Sequence, residues 1–252
     1  MRTLVHITSD ALPQRDGARM DTLAGSLAGL IGAGHEIAVT CAGPAGTAAS
    51  AGSRLVRALS DVLPGRTVVA LVTHAEVRAH DPALRPPAES PGAPAADPAR
   101  TPLRPYAVLE ASAVRDLLAG GAVPVCAGSG VPVIREPGTG RLRTLPGTTD
   151  AERTAALLAE HLDADTLLFL TAGTHLFTSR IHGRSRPLLR VTPGELSGTR
   201  LPEEVRAVAD AAADYVARCG GVAGVGPVDN ALGIVQGTTG TLVHRAPAVR
   251  PA

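Results

Sequence analysis

Leu4-Val5-His6-Ile7-Thr8-Ser9-Asp10 is a short apolar run that empties into small polar residues, and beyond it Leu23, Leu27, Leu30 and Ile31 fall at helical spacing within Asp21 to Ile31. Gly32-Ala33-Gly34 stops that helix, and Glu36-Ile37-Ala38-Val39-Thr40 is a second apolar run, ending in Ala42-Gly43-Pro44. Strand, loop, helix, strand is the unit of a parallel sheet, because a parallel neighbour is reached only through a crossover. The pattern recurs. A helix is expected around Ser53 to Leu63, a strand over Thr67 to Val72, a helix over Val108 to Leu118, and a strand over Ala122 to Cys126 that opens into Ala127-Gly128-Ser129-Gly130. The second half repeats the alternation with a helix from Asp150 to Leu162, the strand Thr166 to Leu170, a helix from Pro202 to Val216, the strand Val222 to Val225, a helix around Val228 to Val235 and a last strand, Thr241 to Val243. The reading is an α/β fold with a mainly parallel sheet covered on both faces. Two lobes are expected to share it, residues 1–146 and 147–252. Residues 85–105 are rich in proline without periodicity and read as an excursion or lid outside the core.

The 252 residues suffice for a sizeable core, built from Ala, Val, Leu and Ile because there is no Trp and only two Tyr and two Phe. The chain has 24 arginines and no lysine, and a net charge of +1 gives no broad field for nucleic acid or anionic lipid. Cys41, Cys126 and Cys219 are far apart in sequence, without Cys/His ligand spacing, so reduced thiols are expected and a metal cage is not. No stretch approaches the ~18 apolar residues of a membrane span, and the N-terminal run is short for a signal peptide. A cytoplasmic, soluble protein is the expectation.

In an open α/β sheet, ligands bind past the carboxyl ends of strands. Thr8-Ser9-Asp10, Ala42-Gly43-Pro44 and Gly128-Ser129-Gly130 are the loops expected there, small enough for backbone N–H groups to reach an anion or simply to turn the chain.

The order of these segments resembles the carbamate kinases of the amino-acid kinase family. Val72-Thr73-His74-Ala75-Glu76-Val77-Arg78-Ala79-His80-Asp81-Pro82-Ala83-Leu84 is similar to that group's V-T-Q-V-E-V-x-x-x-D-P-A-F segment. Leu109-Glu110 and Gly128-Ser129-Gly130-Val131-Pro132-Val133-Ile134 resemble its V-E and G-G-G-I-P-V-I stretches. Ala155-Ala156-Leu157-Leu158-Ala159, Leu170-Thr171 and Gly237-Thr238-Thr239-Gly240-Thr241 follow in the same order. The resemblance implies a three-layer α/β/α sandwich, a homodimer, an N-terminal lobe for the acceptor, a C-terminal lobe for ATP or ADP with Mg²⁺, and phosphoryl transfer to or from a small carbamate- or carboxylate-type substrate.

Carried over by position, it places Thr8, Ser9 and Asp10 on the phosphate-binding G-G-N loop, with Ala42, Gly43, Gly128, Ser129 and Gly130 also on the substrate. Asp10 reads equally well as a helix N-cap. Arg104 falls at the first lysine of a P-K-P-K segment, as a phosphate ligand or a solvated arginine, and Tyr106 at the second. Asp150 and Glu152 match the acids of I-D-K-D, with Ala151 at the lysine and Arg153 adjacent; the alternative for both acids is to complement a helix dipole. Arg104, Asp150, Glu152 and Arg153 are the implied catalytic residues. Thr171, Ala172, Gly173, Phe177 and Glu204 are the implied nucleotide side, Glu203 or Glu204 standing where the family has a lysine. The resemblance implies a divergent kinase, a pseudokinase that binds nucleotide or metabolite, or a repurposed activity in the same cleft.

Overall fold

Apolar residues on both faces of successive strands demand cover on both sides, and the computed structural model supplies it. It describes residues 1–13, 16–43, 45–84, 102–179 and 184–245. In chain order the elements are β1 (Arg2–Ile7), α1 (Gly17–Gly32), β2 (Glu36–Cys41), α2 (Ala45–Val62), β3 (Val68–Val77), β4 (Pro105–Val108), α3 (Ala111–Ala119), β5 (Val123–Arg135), β6 (Leu142–Thr144) and α4 (Ala151–His161). Then come β7 (Thr166–Thr171), β8 (Leu176–Phe177), β9 (Pro187–Leu188), β10 (Arg190–Val191), α5 (Pro193–Gly198), α6 (Arg206–Cys219), β11 (Val222–Pro227), α7 (Ala231–Val235) and β12 (Thr241–Val243).

One ten-stranded sheet runs β10-β12-β11-β7-β1-β2-β5-β3-β4, with β6 on β5. Strands β1, β2, β3, β5, β7 and β11 are mutually parallel, β4 and β6 pair antiparallel, and β12 pairs antiparallel with β11 and parallel with β10. Leu4, Ala38, Leu167 and Phe169 pack on one face with side chains of α3, α4 and α6. Val5, Ile7, Val39, Leu168 and Leu170 pack on the other with α1, α2 and α7. This is the three-layer α/β/α sandwich.

Several elements differ from the sequence reading for physical reasons. Helix α1 begins earlier than Asp21 because Asp16 caps it, its carboxylate accepting from Arg19 N at 3.1 Å. Helix α2 starts at Ala45, before the expected Ser53, within a run of Ala, Gly, Ser and Thr that shows no apolar stripe. Smallness is the packing feature there: a Cβ on Gly52 would lie 3.0 Å from the Ala127 Cβ. Strand β5 does not end at Cys126. It continues through Gly128-Ser129-Gly130 to Arg135, with a register shift against β3 between Val72 and His74, so this glycine segment is a kink inside a strand and not a loop beyond one. Residues 105–108 form an edge strand, where Pro105 is tolerated, and helix α3 starts only at Ala111. The proline-rich segment 85–101 lies outside the described residues.

Candidate active site

The strand order sets the site's location. From β1 the chain passes through α1 to β2 on one side, while β7 lies on the other, so the topological switch point falls between β1 and β7. Two contacts stitch that point at its carboxyl edge: Thr8 Oγ1 donates to Leu170 O at 2.9 Å, and Ala172 N donates to Asp10 Oδ2 at 3.2 Å. Thr8 Oγ1 also meets Asp10 Oδ1. Asp10 therefore does not cap a helix; it holds the β1 loop against the end of β7, with Ser9 exposed beside it. Thr171 and Gly173 form a small turn of their own, Gly173 N donating to Thr171 Oγ1 at 3.2 Å. The amides expected to face an anion are thus partly engaged by the chain's own oxygens.

On the β2–β5 side, Gly43, Ser129, Gly130, Pro132, Gly147 and Thr149 line a cavity of about 170 Å³. Gly43 N donates to Ser129 Oγ at 3.1 Å, and Ser129 N donates to Gly43 O at 3.3 Å. Ala42 is buried just before this clasp, its N–H donating to Ile7 O at 2.8 Å. Thr149 Oγ1 donates to Gly130 O at 3.1 Å and also meets Ser129 O. Gly128 and Gly130 have φ of +97° and +87°, and a Cβ on Gly130 would lie 2.8 Å from the Ala75 Cβ. Only glycine lets the kinked strand pass that close to β3. The cavity has room for a ligand on the order of five non-hydrogen atoms, taking about 30 Å³ for each water-sized group.

Asp150 caps α4, accepting from Arg153 N at 2.9 Å. Its neighbour Glu152 faces inward, with its Oε1 4.0 Å from Nε2 of His6 on β1. Burial, then the nearby Asp150 and Asp10 carboxylates, push the Glu152 carboxyl above the usual carboxylate range, against a backbone hydrogen bond that lowers it. Burial holds His6 down at about 3. His6 Nδ1 lies 2.8 Å from Thr40 Oγ1, and its ring meets Phe169 edge-on. Neither His6 nor Thr149 stood out as a site residue in the sequence. A histidine in a strand covered on both faces was the available signal for the first.

The arginines lie elsewhere. Arg153 Nε donates to Pro105 O at 3.0 Å, and Arg153 and Arg104 line a separate groove of about 500 Å³ between α4 and α6. Arg206 and Arg218 stand there too, interleaved with Asp210 and Asp214. Arg104 N donates to Asp81 Oδ2 at 2.9 Å. Phe177 is half-buried in β8, its ring edge-on to His175, and Ser179 N donates to Arg200 O at 2.7 Å, bringing this hairpin beside the segment that leads to α6. Glu204 is exposed on the 3-10 turn before α6, where Glu203 pairs with Arg206 at 3.4 Å. Among the described residues, neither Phe177 nor Glu204 bonds to the residues at the switch point.

A six-stranded parallel core with a glycine-kinked strand and its open carboxyl edge at the switch point defines a class. Residues 1–220 match the model of the amino acid kinase family, and the chain belongs to that family. Within it the chain is carbamate kinase-like. It is 29% identical over 144 residues to a carbamate kinase of Rhizobium meliloti, covering 55% of this chain and 44% of that protein. With a carbamate kinase of Staphylococcus haemolyticus it shares 30% over 94 residues, 37% of this chain and 30% of the relative. The matched segments thus span about half or less of these curated relatives. The fold superposes on the carbamate kinase from Giardia lamblia bound to AMP-PNP with a TM-score of 0.82 at 16% identity, covering 97% of this chain and 98% of the other. A protein of Aeropyrum pernix K1 gives a TM-score of 0.81 at 20% identity, over 98% and 100% of the two chains.

Proposed function

We propose that this chain is a divergent carbamate kinase-like phosphotransferase, moving a phosphoryl group between ATP or ADP and a small carbamate- or carboxylate-type acid. The observation that supports the reading is the cavity of about 170 Å³ lined by Gly43, Ser129, Gly130 and Thr149 on the β2–β5 side, which would serve as the acceptor cavity. A planar acid would lie there, with Ser129 and Thr149 as its hydroxyl partners. Thr8 and the following loop would face the transferred group, and Thr171 to Gly173 would take the nucleotide's phosphates once Asp10 is displaced from Ala172 N. The partly exposed ring of Phe177 offers a surface for the base.

No three His, Cys, Asp or Glu side chains among the described residues are grouped to hold a metal. Divalent charge would therefore reach the site on the nucleotide's phosphates, where Mg²⁺ neutralises charge that develops during transfer. A homodimer located in the cytoplasm completes the proposal; no helix among the described residues is long and apolar enough to cross a membrane.

A specific observation favours a second reading, a pseudokinase that binds without turnover. Arg104 and Arg153, which the resemblance sets at or beside lysine positions, line the α4–α6 groove and not the cavity proposed for the acceptor. Phosphoryl transfer draws heavily on positioned positive charge, so a cleft without it loses much of its barrier lowering. Titration calorimetry with Mg-ADP and Mg-ATP, followed by a coupled assay of carbamoyl phosphate and ADP, separates the two. Turnover supports the kinase, saturable binding without turnover supports the pseudokinase, and no binding refutes both.

A further inference from the structure

The two walls of the α4–α6 groove carry opposite charge. On one wall Arg153 of α4 donates through Nε to Pro105 O at 3.0 Å, which holds its guanidinium against the segment that carries Arg104. On the other, Asp210 and Asp214 stand about one turn apart on α6, so both carboxylates lie along one side of that helix. All four side chains are exposed. Among the described residues no ion pair crosses the groove. Arg206 pairs with Glu203 at 3.4 Å and Arg218 with Glu160, which leaves Asp210 and Asp214 without a cationic partner and the Arg104 and Arg153 guanidinia without an acidic one. Between the walls Ala156 and Ala211 present only methyl groups, and the space amounts to about 500 Å³. At about 30 Å³ for each water-sized group, that is room for roughly fifteen non-hydrogen atoms.

Charge decides what fits. An anion alone gains two arginines and meets two aspartates; a cation alone gains the aspartates and meets the arginines. A molecule with a carboxylate at one end and a cationic nitrogen at the other gains from both walls, and the planar guanidinium fork is matched to a carboxylate. The alanine floor accepts the hydrocarbon between the two ends. We propose that the α4–α6 groove binds a linear zwitterion, a small molecule whose carboxylate and cationic nitrogen are separated by several methylene groups, with the carboxylate on Arg104 and Arg153 and the nitrogen on Asp210 and Asp214. Such a ligand ties α4 and the segment leading into β4 to α6. The groove shares no lining residue with the cavity proposed for the acceptor, and the site stands whether or not the chain is a phosphotransferase.

Ligand-observed NMR titrations of the unmodified full chain test this without a variant. Glycine, γ-aminobutyrate and ε-aminocaproate separate the same two charges by increasing lengths, while caproate and hexylamine supply each charge alone. ε-Aminocaproate is expected to bind saturably and about fivefold or more tighter than either singly charged analogue, the upper worth of one added ion pair at an exposed site. Glycine, whose charges are too close to reach both walls, should bind more weakly, and added salt should weaken ε-aminocaproate. In the double variant Asp210→Asn/Asp214→Asn the zwitterion should bind no better than caproate, and Arg104→Gln should weaken it as well, with urea midpoints reporting that both variants are folded. Equal affinity for ε-aminocaproate and either singly charged analogue, an affinity that the aspartate variant leaves unchanged, or no saturable binding of any of the five compounds overturns the proposal.

Discussion

Replacing Gly130 with alanine tests whether β5 really threads its kink against β3 at the edge of the cavity proposed for the acceptor. Gly130 has φ of +87°, a region that costs an L-residue roughly 1–2 kcal/mol. Its new Cβ would also lie 2.8 Å from the Ala75 Cβ and 3.3 Å from the Ala75 backbone N, neither of which is the end of a flexible side chain. Overlap of that kind in a packed region costs a further ~1–3 kcal/mol, giving about 2–5 kcal/mol in total. Gly138 is the matched control, with φ of +86° and nothing within 4 Å of an added Cβ. Gly138→Ala should cost only the conformational part, about 1–2 kcal/mol. The entropy that alanine removes from the unfolded chain is common to both and cancels in the difference. Urea denaturation of the two variants beside the parent, at equal m-value, reads that difference directly. Gly130→Ala should be the less stable and should lose affinity for a cavity ligand, since Gly130 O is the acceptor for Thr149. Equal losses for the two variants would refute the close passage.

Asp10→Asn removes a carboxylate that accepts from Ala172 N, and at an exposed site it should tighten inorganic phosphate by about fivefold in calorimetry, the worth of one charge at 4 Å in water. Proton linkage predicts an acid-side signature for His6. Its folded value of about 3 lies below its unfolded 6.5, so the unfolded chain binds the extra proton and stability falls as pH drops from about 6.5 towards 3, at up to ~1.4 kcal/mol per pH unit. Urea midpoints across that range should fall less steeply for His6→Phe than for the parent. Glu152 has the opposite sign: its raised carboxyl favours the folded state below the unfolded value, and this is lost as pH rises through the folded one. Glu152→Gln should therefore gain stability relative to the parent as pH increases. Arg153→Met should cost about 1 kcal/mol of stability through the lost bond to Pro105 O while leaving Mg-ADP affinity unchanged in calorimetry; a large loss of affinity would place its guanidinium in the cleft.

The fold was largely legible because runs such as Leu4 to Ile7 and Thr166 to Leu170 are apolar on both faces, and strands of that kind need helices on both sides. What escaped the pattern had no pattern to show. In α2, Ala51 and Gly52 form the packing surface ahead of the apolar stripe, β8 to β10 are two residues each, and β5 runs on through glycines that ordinarily mark a turn. The candidate site was legible as a place in the fold, the carboxyl edge of the sheet, and less so as a set of orientations. Adjacency in sequence brings Asp150, Glu152 and Arg153 together, yet the first caps α4, the second turns inward to His6 and the third turns away to Pro105. Side chains on successive helical residues diverge by about 100°, so which one faces the cleft depends on how the helix seats on the sheet. That Gly43 N and Ala172 N are already occupied by Ser129 and Asp10 is a tertiary fact, since 86 and 162 residues separate those partners.

Charge gives the site its remaining logic. A chain with no lysine can still place positive charge through arginine, and this one does so in the α4–α6 groove, where Arg104, Arg153, Arg206 and Arg218 alternate with Asp150, Asp210 and Asp214. There the acids largely balance the cations, and a balanced surface has little field to offer a phosphate. At the carboxyl edge of the sheet stand Asp10 and Glu152, with no arginine paired to either among the described residues. A phosphate entering that edge meets both of these carboxyl groups unless they are neutralised. Rotation of Asp10 away from Ala172 N frees an amide donor, and a divalent ion on the nucleotide offsets the remaining negative charge. It follows that binding of ADP should depend on Mg²⁺ far more steeply than lysine-lined phosphate sites require, because here the ion must neutralise charge on the protein's wall as well as on the ligand.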